Sequence, residues 1–313
     1  MALPSLRQLQ YLVALHEHQH FGRAAEACNV TQSTLSAGLK ELEAVLRMRL
    51  VERNRRNVVF TPVGLTVVRR ADDLLLRARD LSLVRDGNAA TPSGTLRLSL
   101  IPTIAPFLLP GILQSVRAAY SDLQLQIHEE MSHEGCAGLS SGTRDCMLLA
   151  LPFDCGDFEY APIFDDPIVV AMHRDDPLAN LSAVQPDDLP TDRLLLLREG
   201  HCLRDHALRA CRRSTGAAPG ASLPTLIQMV DAAMGVTLLP EMAVDSGLLE
   251  GTNVVVRPLS SEDAWRTIAF AWRRNSPRSE AYGAFAAMIE EACRRKKWSG
   301  LAASALDDRL AHA

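Results

Sequence analysis

Apolar residues recur at helical spacing through the first part of the chain. From Ser5 to about His18 they give one apolar face, made of Leu6, Leu9, Tyr11, Leu12, Val13 and Leu15. A short second helix is predicted over Phe21 to Cys28, and Thr31 suits the N-cap of a third helix that continues to Glu43. The pattern therefore predicts three packed helices, with a tight turn between the second and the third.

The third helix combines an apolar inner side with a polar outer side. Leu35, Leu39 and Leu42 fall on the inner side. The outer side carries small or polar residues, namely Gln32, Ser33, Thr34, Ser36 and Lys40. Two short helices of which the second exposes such residues are typical of a helix-turn-helix, whose second helix contacts base edges in the major groove.

Arginines are concentrated just after the third helix, at positions 47, 49, 53, 55 and 56. Val58-Val59-Phe60 follows them as the return strand of a hairpin. We interpret this stretch as a basic wing in which Arg53, Arg55 and Arg56 contact phosphates, which completes a DNA-binding domain over residues 1–60. The alternative is that these arginines only form a solvated face.

A long apolar-faced helix is predicted over residues 61–86, with Leu65, Val68, Leu74, Leu75, Ala78 and Leu81 on one side. A helix of this length and apolarity is expected to pair with a copy of itself. Residues 87–94, rich in Ala, Pro, Ser and Gly, form a predicted hinge.

Strands and helices alternate after the hinge. Predicted strands cover Thr95–Ile101, Leu123–Glu129, Asp145–Leu151, Pro167–His173, Leu194–Leu197, Val236–Leu239, Val254–Pro258 and Thr267–Arg273. This alternation predicts βαβ units and a mainly parallel sheet in a regulatory domain over residues 95–298, with a tail at 299–313. The fold class is therefore α+β multidomain.

Charge and composition indicate what the N-terminal part contacts and in which compartment the protein is expected. Residues 1–90 contain thirteen Lys and Arg against nine Asp and Glu, so they carry +4 while the remaining 223 residues carry −8. A polyanion is expected to contact the N-terminal part. No apolar run reaches about 18 residues and the first 21 positions lack a signal-peptide core, so a cytoplasmic protein is expected. The seven cysteines are then expected to be thiols.

Cys202 and Cys211 lie in a setting that suits a reactive thiol. Basic side chains, His201 and a helix N-terminus after a strand would each lower the pKa of Cys202 and favour its thiolate. If the stretch between the two cysteines is helical, their α-carbons lie about 13 Å apart, whereas a disulfide needs about 7 Å or less. Bonding them would then require local unfolding. The alternative is that both are small buried hydrophobic residues.

Metal and cofactor sites are not expected. His133 and Cys136 have the spacing of a ligand pair, but no second pair stands at a matching distance for a closed zinc site. His16, His18 and His20 lie near a helix end, where imidazole groups interact with terminal carbonyls.

Several of these motifs together resemble a known family. Phe21 to Glu43, with Ala24-Ala25 and Val30 to Ser36, the wing and the linker helix resemble the LysR-type transcriptional regulators over the whole chain. Three motifs narrow the resemblance to the hydrogen peroxide sensors of that family: Ile101-Pro102-Thr103 followed by Leu108-Leu109-Pro110, Gly200-His201-Cys202-Leu203-Arg204-Asp205 with Cys211, and Gly235-Val236-Thr237-Leu238-Leu239-Pro240.

The resemblance implies a regulatory domain of two lobes like a periplasmic binding protein. Lobe I would cover about 95–165 and 267–298, and lobe II about 166–266. It implies that Cys202 is the peroxide-reactive cysteine, that Cys211 resolves it into a disulfide, and that a pocket surrounds them, formed by Thr103, Ser132, His201, Asp205 and Arg266. Ser132 stands where Thr is usual, and Ser33 where Pro is common.

The implied partners are double-stranded promoter DNA, hydrogen peroxide as the signal for antioxidant genes, further copies of the chain in a homotetramer, and RNA polymerase. Two other functions compete. One is a LysR-type regulator that binds a small metabolite between its lobes. The other is a thiol peroxidase, but an enzyme has no use for the helix-turn-helix, so a protein without enzymatic activity is expected.

Overall fold

The computed structural model describes residues 3–53, 58–83, 91–213, 218–220 and 222–295. Contacts between residues divide the chain into two compact units, and the second begins after residue 87. No helix in these described ranges is long and apolar enough to cross a membrane.

The N-terminal unit contains four helices and a hairpin. Helix α1 covers Leu6–His18, α2 Phe21–Ala27, α3 Gln32–Leu46 and α4 Pro62–Leu83, while β1 (Val51–Arg53) and β2 (Val58–Phe60) pair antiparallel. Caps set where the helices begin. Ser5 accepts from the Gln8 N–H at the start of α1, and Thr31 accepts from the Thr34 N–H at the start of α3. The predicted three helices and wing hairpin are confirmed.

The apolar faces of α1, α2 and α3 meet in one core that includes the fully buried Leu12, Leu15, Leu35 and Leu42. Gly38 lets α1 and α3 approach closely, because a Cβ at this position would lie 2.7 Å from the Tyr11 ring. The wing is tied to α3 by Glu43, whose carboxylate accepts from the Leu50 and Val51 N–H groups.

The linker helix α4 differs from the single apolar side that the sequence predicted. Val68 and Leu75 are buried in the core of the N-terminal unit, whereas Leu65 and Leu74 are exposed. The apolar residues of α4 therefore serve two purposes, because Val68 and Leu75 stabilise their own unit while Leu65 and Leu74 remain on its surface.

The C-terminal unit is a mixed sheet covered by helices. Its strands are β3 (Gly94–Leu100), β4 (Leu123–Glu129), β5 (Cys146–Leu151), β6 (Phe158–His173), β7 (Leu194–Leu197), β8 (Ala218–Gly220), β9 (Val236–Pro240), β10 (Val254–Pro258) and β11 (Trp265–Arg273). Its helices are α5 (Ala105–Ala119), α6 (Ser132–Ser141), α7 (Cys202–Ala210), α8 (Leu223–Asp231), α9 (Glu241–Asp245) and α10 (Ser279–Arg295). The strand order is β4-β3-β5-β11-β6-β9-β7-β8, and β10 pairs with β6.

Strands β6 and β11 are neighbours and carry the chain between the lobes. The first part of β6 pairs with β11, and its last residues pair with β9 and β10.

The prediction of a mainly parallel sheet is wrong, because β11 runs antiparallel to both β5 and β6, and β9 and β10 run antiparallel to β6. Among the described strands, β3 pairs in parallel with β4 and β5, and β7 pairs in parallel with β8 and β9.

The sequence placed a strand at Pro167–His173, but β6 begins nine residues earlier, at Phe158. Its first nine residues include Glu159, Asp165 and Asp166, which interrupt the apolar run by which a buried strand is recognised. The predicted fold class, an N-terminal helix-turn-helix domain with a two-lobed C-terminal regulatory domain, is confirmed.

Candidate functional site

Cys202 is the first residue of α7. The buried strand β7 ends at Leu197, and the chain turns through Gly200, whose φ of +97° lies in the region that favours glycine. His201 then occupies the N-cap position of α7, although its side chain makes no capping hydrogen bond. The turn delivers the Cys202 side chain to the positive end of the helix dipole.

Burial dominates the ionisation of Cys202. Only 3% of the residue is exposed, and this desolvation raises the pKa of the thiol. Within that net rise, the Ser132 hydroxyl and the Arg266 charge lower the pKa of Cys202, and Asp205 raises it. Cys202 therefore lies in the protein interior, close enough to the buried Arg266 to be affected by its charge, and not on a basic surface.

The expectation that the surroundings lower the pKa of Cys202 is wrong, and the flanking residues explain why. His201 is buried and its own pKa is lowered, chiefly by desolvation and then by Arg198, so the imidazole is neutral at pH 7 and supplies no positive charge. Arg204 directs its guanidinium to the Leu197 carbonyl. Arg266, which is distant in sequence, is the cation that acts on the thiol.

Arg266 joins three segments of the C-terminal unit and is fully buried. Its Nε donates to Asp166 Oδ2 at 2.9 Å, while its guanidinium also donates to the Thr103 hydroxyl at 2.9 Å and to the Thr103 carbonyl at 3.1 Å. The other Asp166 oxygen accepts from the Met242 N–H at the start of α9. Burial raises the pKa of Asp166, and the charge of Arg266 opposes that rise.

The structure brings most of the predicted pocket residues together and leaves one apart. Ser132 and Thr103 are buried. Ser132 Oγ has no partner at ordinary hydrogen-bond geometry among the described residues, and its hydroxyl lowers the pKa of Cys202. Nε2 of the buried His201 likewise has no partner in this part of the chain. Asp205, by contrast, is exposed in the first turn of α7, so it acts on Cys202 through its charge.

Cys211 closes the other end of α7 as its C-cap. It is a buried free thiol that contacts the Leu208 carbonyl at 3.5 Å, and burial raises its pKa. Because the intervening residues are helical, about 13 Å separates the two ends of this segment, beyond the roughly 7 Å limit for a disulfide. The predicted helix is confirmed, and joining its two cysteines requires it to unwind.

His206 is a site residue that the sequence did not single out. It follows Cys202 by four positions, so the two share one face of α7. Its Nε2 is 2.9 Å from the Pro152 carbonyl oxygen and therefore carries the proton, which leaves Nδ1 unprotonated. This Nδ1 is buried and makes no hydrogen bond within the described residues. Desolvation lowers the pKa of His206 to about 4. The helical spacing from Cys202 was the available signal.

Cys136 and Cys155 form a disulfide, so the expectation that all seven cysteines are thiols is wrong. Their α-carbons lie 5.3 Å apart although 19 positions separate them in sequence. Only the fold brings them together, because α6 packs beside the segment that follows β5. Cys28, Cys146, Cys202, Cys211 and Cys293 form no disulfide. No group of three potential metal ligands occurs within the described ranges.

The candidate DNA-reading face lies at the start of α3. Gln32, Ser33, Thr34 and Lys40 are exposed and Ser36 is half-buried, in agreement with the predicted outer side. Of the predicted wing arginines, Arg53 ends β1, while Arg55 and Arg56 lie outside the described residues. His20 accepts from the Gly22 and Arg23 N–H groups and therefore caps α2.

Comparison with known families follows this division of the chain. Residues 6–65 match the bacterial regulatory helix-turn-helix proteins of the lysR family, and residues 89–294 match the LysR substrate binding domain. The chain belongs to the LysR family of bacterial regulators. The resemblance inferred from the motifs is thus confirmed at the level of the whole chain.

Relatives within the LysR family include peroxide-linked proteins. A hydrogen peroxide-inducible genes activator from Dickeya chrysanthemi is 38% identical and covers 92% of this chain and 95% of its own length. The transcriptional regulator EstR from Acinetobacter baylyi is 43% identical, covering 88% and 93%. A solved full-length OxyR variant from Pseudomonas aeruginosa matches with a TM-score of 0.75 and 36% identity, covering 92% and 95%.

We expect Thr103→Val to destabilise the C-terminal unit, because it removes the hydroxyl that accepts from the buried Arg266. A buried donor left without a partner costs about 1–3 kcal/mol of unfolding free energy. Thr103→Ser keeps the hydroxyl and should lose less. Urea unfolding followed by the fluorescence of Trp265 and Trp272 measures both variants, and equal losses would show that the hydroxyl is unimportant.

His206 should make stability depend on pH. Its folded pKa of about 4 lies below the ordinary value of 6.5, so protons bind the unfolded chain first. Its stabilising contribution is therefore complete above about pH 6.5 and is lost as the pH falls towards 4, by up to about 3 kcal/mol. His206→Gln keeps a donor for the Pro152 carbonyl but cannot titrate. Unfolding free energies at about pH 7 and pH 4.5 should fall less in this variant than in the parent, and parallel curves would contradict the assignment.

Proposed function

We propose that this chain is a DNA-binding transcriptional regulator that responds to hydrogen peroxide through oxidation of Cys202. The observation that carries the proposal is the position of this thiol at the N-terminus of α7, where the Ser132 hydroxyl and the Arg266 charge favour the thiolate and Cys211 ends the same helix. The occurrence of hydrogen peroxide-inducible activators among its relatives supports the same reading.

The first chemical step is attack of the Cys202 thiolate on one oxygen of hydrogen peroxide. The O–O bond breaks, the leaving oxygen takes a proton and departs as water, and Cys202 becomes a sulfenic acid. Arg266 stabilises the thiolate. The Cys202 proton leaves before the attack, and neutral His201 is a weak acceptor for it because desolvation lowers the pKa of its imidazole. Thr103 is a positioning residue, because it holds the Arg266 guanidinium.

In the second step Cys211 attacks the sulfenic sulfur, a disulfide forms and a second water leaves. Because α7 separates the two cysteines, this step requires the helix to unwind and withdraws Leu203, His206, Ala207 and Ala210 from the core. Oxidation thereby changes the shape of the regulatory domain, which is the signal that reaches the DNA-binding unit.

The DNA-binding unit is proposed to contact promoter DNA through α3 and the wing, in the cytoplasm. Exposed Leu65 and Leu74 on α4 support self-association through the linker helix. The four-chain assembly and contact with RNA polymerase that the resemblance implies remain part of this proposal. We also infer that the protein is not an enzyme, since one oxidation per molecule suffices for a switch.

A second candidate function is a LysR-type regulator that binds a small metabolite between its lobes. One observation favours it: burial raises the pKa of Cys202, which slows reaction of the thiol with any oxidant. Thermal stabilisation by small carboxylates, with no change of DNA binding after peroxide, would identify this function.

We expect equimolar hydrogen peroxide to join Cys202 to Cys211 in the full chain. Thiol trapping and peptide mapping by mass spectrometry identify the bond. Cys211→Ser should stop at the sulfenic acid, and Cys202→Ser should abolish the change in DNA binding, while Cys28→Ser, outside the regulatory domain, should respond like the parent. A Cys202→Ser protein that still responds would refute the mechanism.

DNA contacts should separate into two kinds. Gln32→Ala at the start of α3 should relax sequence preference, because Gln can bind a base edge by two hydrogen bonds. Arg55→Ala or Arg56→Ala should weaken binding to all sequences and reduce the salt slope by about one. Footprinting at several salt concentrations distinguishes them, and equal losses of specificity would place the recognition helix elsewhere.

A further inference from the structure

The Cys136–Cys155 disulfide links two segments that both support the Cys202 site. On one side, Cys136 lies in α6, four positions after Ser132, so both residues share one face of that helix. Ser132 is the hydroxyl that lowers the pKa of Cys202. One half of the disulfide is therefore one helical turn from a side chain that acts on the reactive sulfur.

On the other side, Cys155 lies in the segment between β5 and β6 that also contains Pro152. The Pro152 carbonyl accepts the hydrogen bond from His206, and His206 is one turn after Cys202 on α7. The second half of the disulfide is therefore three residues from a backbone contact that fixes the Cys202 helix.

These two segments differ in how firmly the fold holds them. Helix α6 packs tightly on the sheet at Gly135, where a Cβ would lie 2.6 Å from Met147 and 2.9 Å from the Ser99 hydroxyl. In the other segment Cys155 is buried, but its neighbours Asp154, Gly156 and Asp157 are exposed. The disulfide thus joins a loop whose residues on both sides of Cys155 are exposed to a firmly packed helix.

We propose that Cys136 and Cys155 are a second redox pair, which exchanges with low-molecular-weight disulfides and, when bonded, holds Pro152 against His206 so that Cys202 reacts faster with peroxide. The thiol–disulfide exchange of Cys136 and Cys155 does not depend on the function proposed above. The effect on the rate at which Cys202 reacts with peroxide does rest on that function. Together the two pairs would make the response depend on two signals, peroxide at Cys202 and the thiol pool at Cys136 and Cys155.

Oxidation of the Cys136 and Cys155 thiols needs only one reactant, a low-molecular-weight disulfide such as glutathione disulfide. The thiolate of one cysteine attacks glutathione disulfide, which forms a mixed disulfide and releases one glutathione. The other cysteine then attacks the mixed disulfide and releases a second glutathione. The two protein thiols lose two electrons and two protons, and glutathione disulfide gains them as two glutathione thiols. The exposed neighbours of Cys155 give the small disulfide a route to this pair.

The first experiment tests the pair without Cys202 chemistry. Full-length Cys202→Ser/Cys211→Ser protein is equilibrated with glutathione buffers of different ratio, trapped and mapped by mass spectrometry. We expect Cys136 and Cys155 to pass between free and bonded forms as one two-electron couple. A bond that survives every buffer would make the pair a permanent crosslink, and a bond that never forms would exclude the pair. Either result overturns the proposal.

The second experiment measures coupling to α7. Hydrogen exchange of the same protein should be faster in peptides covering residues 150–157 and 202–210 when the pair is reduced. Unchanged exchange in the 202–210 peptides would overturn the coupling, even if the pair itself titrates. This measurement needs neither peroxide nor DNA, so its failure is distinct from failure of the proposed function.

The third experiment measures the rate at which Cys202 reacts. Cys136→Ser/Cys155→Ser should react with peroxide about fivefold or more slowly than the parent with its pair bonded, because small displacements of a reacting group are costly. Cys28→Ser is the matched control and should keep the parent rate. Equal rates in the double variant and the parent would overturn the effect of the disulfide on Cys202. If none of the three proteins reacts with peroxide, the proposed function is refuted. The first two experiments then decide whether Cys136 and Cys155 are a redox pair.

Discussion

The buried ion pair of Arg266 with Asp166 is the constraint on which the regulatory domain depends. A fully buried guanidinium is tolerated only if its donors are satisfied, and here Asp166, Thr103 and the Met242 sulfur surround it. Removing one partner of such a pair typically costs about 3–5 kcal/mol. The Arg266 ion pair joins strands β6 and β11 to the loop before α5. The charge of Arg266 also lowers the pKa of the Cys202 thiol, so the same interaction acts on both the fold and the reactive sulfur.

Cys202 illustrates how burial and reactivity oppose each other. Desolvation alone favours the neutral thiol, and Arg266 and Ser132 act in the opposite direction. A buried thiol in this balance is shielded from solvent, and its ionisation depends on the few polar groups that face it. The neutral His201 and His206 fit this arrangement, because neither adds a buried positive charge that would need its own partner.

In the mechanism proposed for the Cys202–Cys211 pair, helix α7 is the element that must change shape. In the reduced state it buries its apolar face and keeps its two cysteines at opposite ends, so the disulfide and the helix exclude each other. The contacts that stabilise the helix, above all the hydrogen bond from His206 to Pro152, oppose formation of the disulfide. The segment that contains Pro152 is thereby tied to α7 although it contains neither Cys202 nor Cys211.

The sequence by itself determined the elements whose signals are local. The cap at Thr31, the helical spacing in α1 and α3 and the two ends of α7 follow from neighbours in the chain. The motif around Cys202 could be recognised for the same reason. Only the tertiary structure decided what depends on distant contacts. Burial reversed the expected pKa shift of Cys202. The fold also left Asp205 exposed, placed His206 against Pro152 and brought Cys136 to Cys155 across 19 positions. Desolvation and disulfide geometry are set by packing in three dimensions, and linear spacing does not encode them.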